Sequence, residues 1–328
     1  MNNTLRLKNR VGKLVLPVLS CVGILSSPFL YADEGGTSFW LPGQYGSLAA
    51  TPADPGWSLG LIYFHASSDA GADKTFTSGD KLKAGLDVGQ DLLLLAPTYT
   101  FSDPVWDGQA AISVAALYGR ADVGVSATFS GIDGSTLSGS QSESLTAFGD
   151  LYPTLSLRWN DGNHNTMIYT AFGVPVGSYR ADRLSNLGSN HWSADLGAGY
   201  TYFNATSGLE FSATAGITYN FENPDTDYKN GLDLHLDWGA SQFISEQTHI
   251  GLVGYFYHQI TGDSGAGATL GDFKSRVDAI GPQLGHIFMM GEKQVYVNVK
   301  GYWEFNAKHR PDGWNGWLTL SVPLGSGS

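Results

Sequence analysis

Residues 294–306, QVYVNVKGYWEFN, alternate with almost no exception. Val295, Val297, Val299, Gly301, Trp303 and Phe305 take the odd positions, while Gln294, Tyr296, Asn298, Lys300, Tyr302, Glu304 and Asn306 take the even ones. Successive side chains of a β-strand point to opposite faces, so this stretch is a strand with one apolar and one wet face. Its apolar face meets either a protein core or a lipid bilayer.

The same pattern recurs along the chain. Leu209, Phe211, Ala213, Ala215, Ile217, Tyr219 and Phe221 alternate with Glu210, Ser212, Thr214, Thr218 and Asn220. Leu232, Leu234, Leu236 and Trp238 alternate with Asp233, His235 and Asp237. Trp57, Leu59, Leu61 and Tyr63 open a first strand, and a second ends in Leu93, Leu95, Pro97, Tyr99 and Phe101. A third carries Ile112, Val114, Ala116 and Tyr118. The fourth sets Leu145, Leu151, Leu155, Leu157 and Trp159 against Thr146, Asp150, Thr154, Ser156 and Arg158. A fifth is expected over 166–180, and a sixth places Trp192, Leu196, Tyr200 and Tyr202 opposite Ser193, Asp195 and Thr201. Weaker alternation marks strands at 248–260 and 276–290, and 314–324 makes the last, for about twelve in all.

The connections decide the oily phase. Long ones are expected at 67–80, 131–141, 182–190, 222–231, 261–275 and 307–313. Short ones fall between them, at 102–108, 160–163, 205–208, 245–247 and 291–293. Strict alternation of long and short loops is the mark of a transmembrane antiparallel up-and-down barrel, with one rim in the periplasm and the other outside the cell. Closure leaves no unpaired strand edge in lipid. Aromatics at strand ends on the apolar face, such as Tyr99, Phe101, Trp159, Tyr219 and Phe221, supply the interfacial girdles. Composition agrees: charged residues are only 15%, aromatics 12% and mean hydropathy is near zero. After the first 30 residues no apolar run is long enough for a helical span. The ending, Leu320-Ser321-Val322-Pro323-Leu324 and then Gly325-Ser326-Gly327-Ser328, departs from the C-terminal Phe or Trp usual in such barrels.

The fold class expected is therefore all-β, a barrel over 56–328. Residues 1–32 read as a signal peptide: Arg6, Lys8, Arg10 and Lys13 precede an apolar run, with cleavage near Ala32. A lipoprotein-like box at Val18-Leu19-Ser20-Cys21 would cut that run in half. Loss of the four basic residues leaves 14 of 18 against 30 acids, which argues against a nucleic-acid partner. Cys21 is the single cysteine, so no internal disulfide and no thiol metal site exist. Residues 33–55 hold three prolines and no alternation, and read as a plug or periplasmic segment in which Phe39, Trp40, Leu41 and Tyr45 offer aromatic and apolar contact.

Glu34-Gly35-Gly36-Thr37-Ser38-Phe39-Trp40-Leu41-Pro42-Gly43, then Pro55-Gly56-Trp57-Ser58, and Lys300-Gly301-Tyr302-Trp303-Glu304-Phe305 through Arg310-Pro311 and Gly313-Trp314-Asn315 resemble one family of Gram-negative proteins. That is the MetA-pathway of phenol degradation family, which includes SphA-like outer-membrane proteins. The resemblance covers nearly the whole mature chain. It implies an outer-membrane barrel with a role in uptake of aromatic or other hydrophobic compounds, and it carries no functional residues over.

Among chemical motifs there is no HExxH, P-loop, dinucleotide fingerprint or nucleophile elbow, so neither an enzyme nor a cofactor is expected. Arg158, Asp195, Glu210, Asp233, His235, Asp237, Lys300 and Glu304 point inward and are expected to line a solute path or to brace the wall. The row Asp233, His235, Asp237 lacks the further ligands a metal site needs. His65 and Ser67 share a face near the outer rim, a spacing that suits a barrel-embedded lipase, but no third group or oxyanion hole can be identified from sequence. The leading expectation is a channel for small hydrophobic, aromatic solutes seated in outer-membrane lipid. A non-transporting structural or surface-binding barrel and a lipase are the alternatives.

Overall fold

A computed structural model describes residues 38–75, 81–269, 271–291 and 293–326. Residues 1–32, expected to be an export signal, and residues 33–37 of the expected plug lie outside them. The described residues form twelve strands: β1 (Gly56–Thr75), β2 (Lys81–Thr100), β3 (Gln109–Ser130), β4 (Thr136–Asp161), β5 (His164–Gly173), β6 (Ser193–Asn204), β7 (Leu209–Asn220), β8 (Asp233–Phe243), β9 (Thr248–Gln259), β10 (Arg276–Met290), β11 (Lys293–Lys308) and β12 (Asp312–Ser326). Each pairs antiparallel with its sequence neighbours, and β1 pairs with β12, so the sheet closes. Phe64 and Trp317 face each other across that seam inside the barrel, ring centroids 4.6 Å apart.

Alternation places the side chains as the residues demand. On β7 the inward Glu210, Ser212, Thr214 and Thr218 are fully buried, while Leu209, Phe211, Ile217 and Tyr219 are exposed on the outside. On β11, Asn298, Lys300 and Tyr302 are buried and Val299, Trp303 and Phe305 exposed. The outer face thus carries an apolar band. Along β2 it runs from Leu93 to Tyr99 and on to Phe101, about 27 Å of strand, which at the tilt of such barrels spans a bilayer core. The band ends outwards on one register row, Tyr63, Leu93, Tyr118 and Phe148.

Above that row the structure departs from the expected loops. Residues 67–75 continue β1 and residues 136–141 belong to β4, so β1–β4 extend past the membrane as a four-stranded wing. From Tyr63 to Thr75 it reaches about 40 Å along the strand. The facing pattern inverts there. Polar residues such as Ser67, Asp69, Asp87 and Asp122 lie outside, whereas Leu86, Val123 and Val125 are buried on the inner face. A strand whose outer face meets water reads as a loop when only its outward Ser, Asp and Gly are noticed.

Two further corrections concern β4 and β5. A register shift between Ala116 and Tyr118 on β3 lets β4 gain a residue, so inward and outward positions exchange across it. Leu145, expected on the lipid face, turns inward and packs against the core, and Thr146 turns outward with Phe148. β5 ends at Gly173 rather than near residue 180. The chain from 174 to 192 instead folds back over the barrel: Asp150 accepts hydrogen bonds from Gly177 N (2.8 Å), Ser189 N (2.8 Å) and Ser189 Oγ (2.7 Å), and Leu184 lies against the wing's apolar face.

Because Leu95 sits in mid-band on the outside, Leu95→Arg is expected to cost about 2–4 kcal/mol of barrel stability. Denaturant titration of the protein refolded into lipid vesicles measures it.

Candidate functional site

Residues 38–55 lie inside the barrel, and the inward charges expected from sequence converge on them. Leu41 and Gln44 close a turn (N to O 3.2 Å) with Pro42 and Gly43 at its centre. Gly43 has φ +87°, and a Cβ there would come within 2.9 Å of the Tyr302 ring, so the position needs glycine twice over.

The turn is held by its backbone. Gly43 N and Tyr45 N donate to the two oxygens of Asp237, at 2.9 and 3.1 Å. Lys300 Nζ donates to the carbonyls of Gly43 (2.5 Å), Gln44 (3.0 Å) and Tyr45 (3.2 Å), and Tyr302 Oη donates to Gly43 O at 3.1 Å. Within three consecutive residues an anion thus takes two amides and a cation three carbonyls, both from buried side chains. Trp40 stacks on His235 with centroids 3.5 Å apart, and Tyr45 and Tyr169 flank the indole.

Below the turn the segment descends to the periplasmic rim. Glu210 accepts from Ser47 Oγ and, at 2.9 Å, from Leu48 N. Ala50 N donates to Thr201 Oγ1 (3.0 Å) and Ala53 N to Gln109 Oε1 (2.8 Å).

The row on β8 is present, but each member is engaged separately. Asp233 accepts from Asn220 Nδ2 at 2.8 Å. His235 Nε2 meets Asp195 Oδ2 at 2.9 Å, with Thr218 Oγ1 donating to the same oxygen. Asp237 holds the segment. Arg158 reaches Ser156 Oγ at 2.7 Å. Glu304 stands apart from all of these and accepts from Tyr255 Oη (2.6 Å) and Gly313 N (3.0 Å). Lys300 and Glu304, four residues apart on β11, therefore serve different neighbourhoods.

A cavity of about 90 Å³ lies on the other side of the segment, between β1, β2, β11 and β12. Leu41 and Pro42 form part of its lining with Phe64 and Val88, while Gln90, Glu304 and Arg310 also face it. Of the residues expected to line a path, only Glu304 and Leu41 reach this space.

His65 and Ser67 face outward, above the aromatic row. His65 Nδ1 lies 2.8 Å from Asp91 Oδ1, to which Tyr63 Oη also donates at 2.5 Å. Among the described hydrogen bonds none joins His65 to Ser67.

A family profile described as "Putative MetA-pathway of phenol degradation" matches residues 71–320. The chain belongs to this family. In this member of the MetA-pathway family the fold has solved counterparts. An outer-membrane channel of Pseudomonas putida F1 superposes with a TM-score of 0.63 at 15% identity, over 86% of this chain and 99% of the other. The transport unit of the autotransporter AIDA-I of Escherichia coli reaches 0.44 at 12% identity, over 85% and 93%. The first likeness establishes the outer-membrane barrel fold, and the second is too distant to add to it. No curated protein matches the chain.

The residues that sequence reading missed in this family member are Phe64, Val88 and Arg310. Phe64 and Val88 carried a signal, since each is a large apolar side chain at a parity otherwise given to the wet face.

Asp237→Ala removes the acceptor of two buried backbone amides and is expected to weaken docking of the segment by about 3 kcal/mol. A nitroxide on Gln44→Cys reports this as sharpened spin-resonance lines relative to the label alone.

Proposed function

We propose that the chain is a passive outer-membrane channel for small hydrophobic compounds, aromatic ones in particular, and that residues 33–55 act as its plug. One observation carries the reading. The lumen holds a segment gripped through its backbone, and beside it an unfilled cavity with an apolar wall, so the interior is neither solid nor an open pore. Membership of a family named for phenol degradation and likeness of fold to a channel protein support the theme.

The grip suits a part that moves as a unit. Asp237 and Lys300 hold residues 43–45, Glu210 holds 47 and 48, and Thr201 and Gln109 hold 50 and 53, all through side chains, so release of the segment disturbs no strand pairing. The His65–Asp91 pair supplies the orienting carboxylate that a hydrolase would need. With no hydrogen bond among the described residues joining Ser67 to it, the pair favours transport over lipase chemistry.

Deletion of residues 35–50 is expected to raise single-channel conductance in planar bilayers several-fold. Conductance equal to that of the intact chain would remove the plug from this reading.

A further inference from the structure

The cavity beside the plug has two unlike ends. Phe64, Val88, Leu41 and Pro42 give it an apolar wall, and the Phe64 ring is fixed by Trp317. Across from them stands a polar pole. Glu304, Tyr255 and Asn315 are chained there, Asn315 Nδ2 donating to Tyr255 Oη at 2.8 Å and Tyr255 Oη to Glu304 at 2.6 Å. Arg310 completes the pole, its guanidinium carbon 5.2 Å from the centre of the Tyr257 ring. Such a pairing of an apolar body with a few convergent polar groups is what small-molecule sites require.

We propose that the cavity is a binding site for a neutral molecule with a ring-sized apolar body and one hydroxyl group. The body lies against Phe64, Val88 and Leu41, and the hydroxyl faces Arg310 and Glu304. The pole mixes a cationic donor with an anionic acceptor, so a hydroxyl, which both donates and accepts, satisfies it. A carboxylate meets Glu304, and an ammonium meets Arg310. A bare hydrocarbon displaces water from the pole without replacing its hydrogen bonds. The site rests on the uptake reading above, to which it adds a place and a substrate class.

The test uses the full protein in lipid nanodiscs, with empty nanodiscs as the partition control. Fluorine NMR titrations compare 4-fluorobenzyl alcohol, 4-fluorotoluene and 4-fluorobenzoate. The alcohol is expected to bind about tenfold tighter than the toluene, and the benzoate weakest. Val88→Trp and Ala66→Trp, at two inward positions that line the cavity, are expected to fill it and weaken the alcohol at least about tenfold, whereas Leu93→Trp on the lipid face leaves it unchanged. Arg310→Met is expected to erase the preference for alcohol over toluene. Heat-modifiable gel mobility shows that each variant is folded. Wild-type binding by both folded cavity-filling variants overturns the proposal, as does benzoate binding as tight as the alcohol. Uptake of labelled benzyl alcohol by cells expressing the chain separates the two readings: binding without uptake sinks the channel and leaves the site, and uptake without cavity binding does the reverse.

Discussion

Everything in this molecule follows from the need to bond every peptide group where no water reaches. Twelve strands meet it by pairing around a ring, and the β1–β12 seam, backed on the inside by Phe64 and Trp317, completes the ring. Closure then dictates the side chains, because each strand must show lipid one face and the lumen the other. A ring of this size encloses little space. Eighteen residues of irregular chain, 38–55, occupy much of it, and their own amides and carbonyls inherit the same demand for partners. Asp237, Lys300 and Glu210 meet that demand in the lumen as neighbouring strands meet it in the wall.

Strands with one solvent on each face were legible residue by residue. β7, β8 and β11 alternate because their inner and outer surroundings differ along their whole membrane length. The wing was not legible, for the contrast reverses above Tyr63. Outside it meets water, inside it meets Leu184 and the apolar faces of its own partners, and a sequence carries no mark of the height at which lipid stops. The exchange of Leu145 and Thr146 has a similar cause, since an extra residue in β4 leaves local composition unchanged while switching the face of everything beyond it.

The site was half legible. Inward parity identified Asp237, Glu210 and Lys300 as lumen residues, but what they bind is the backbone of a segment 162 to 257 residues away, and backbone groups look the same in every sequence. The eight inward charges were open to two readings, a lined path or a braced wall. They divide the lumen: those on β4, β6, β7 and β8, with Lys300, bond to the wall or to the segment, and Glu304 alone turns to the cavity. Arg310 comes from the short connection between β11 and β12, where no periodicity exists to point a side chain anywhere.

The hold on residues 43–45 recognises peptide groups and ignores side chains. Gln44, whose side chain is exposed, takes part only through its carbonyl. Most of the gripped turn is thus free to drift in evolution, and only Gly43, pressed against the Tyr302 ring with a positive φ, is barred from changing. A lock of this kind separates two tasks that most binding loops must combine. Residues on the segment can be tuned to whatever lies beside them, as Trp40 is to His235 and Leu41 to the cavity, without loosening the fastening that holds them there.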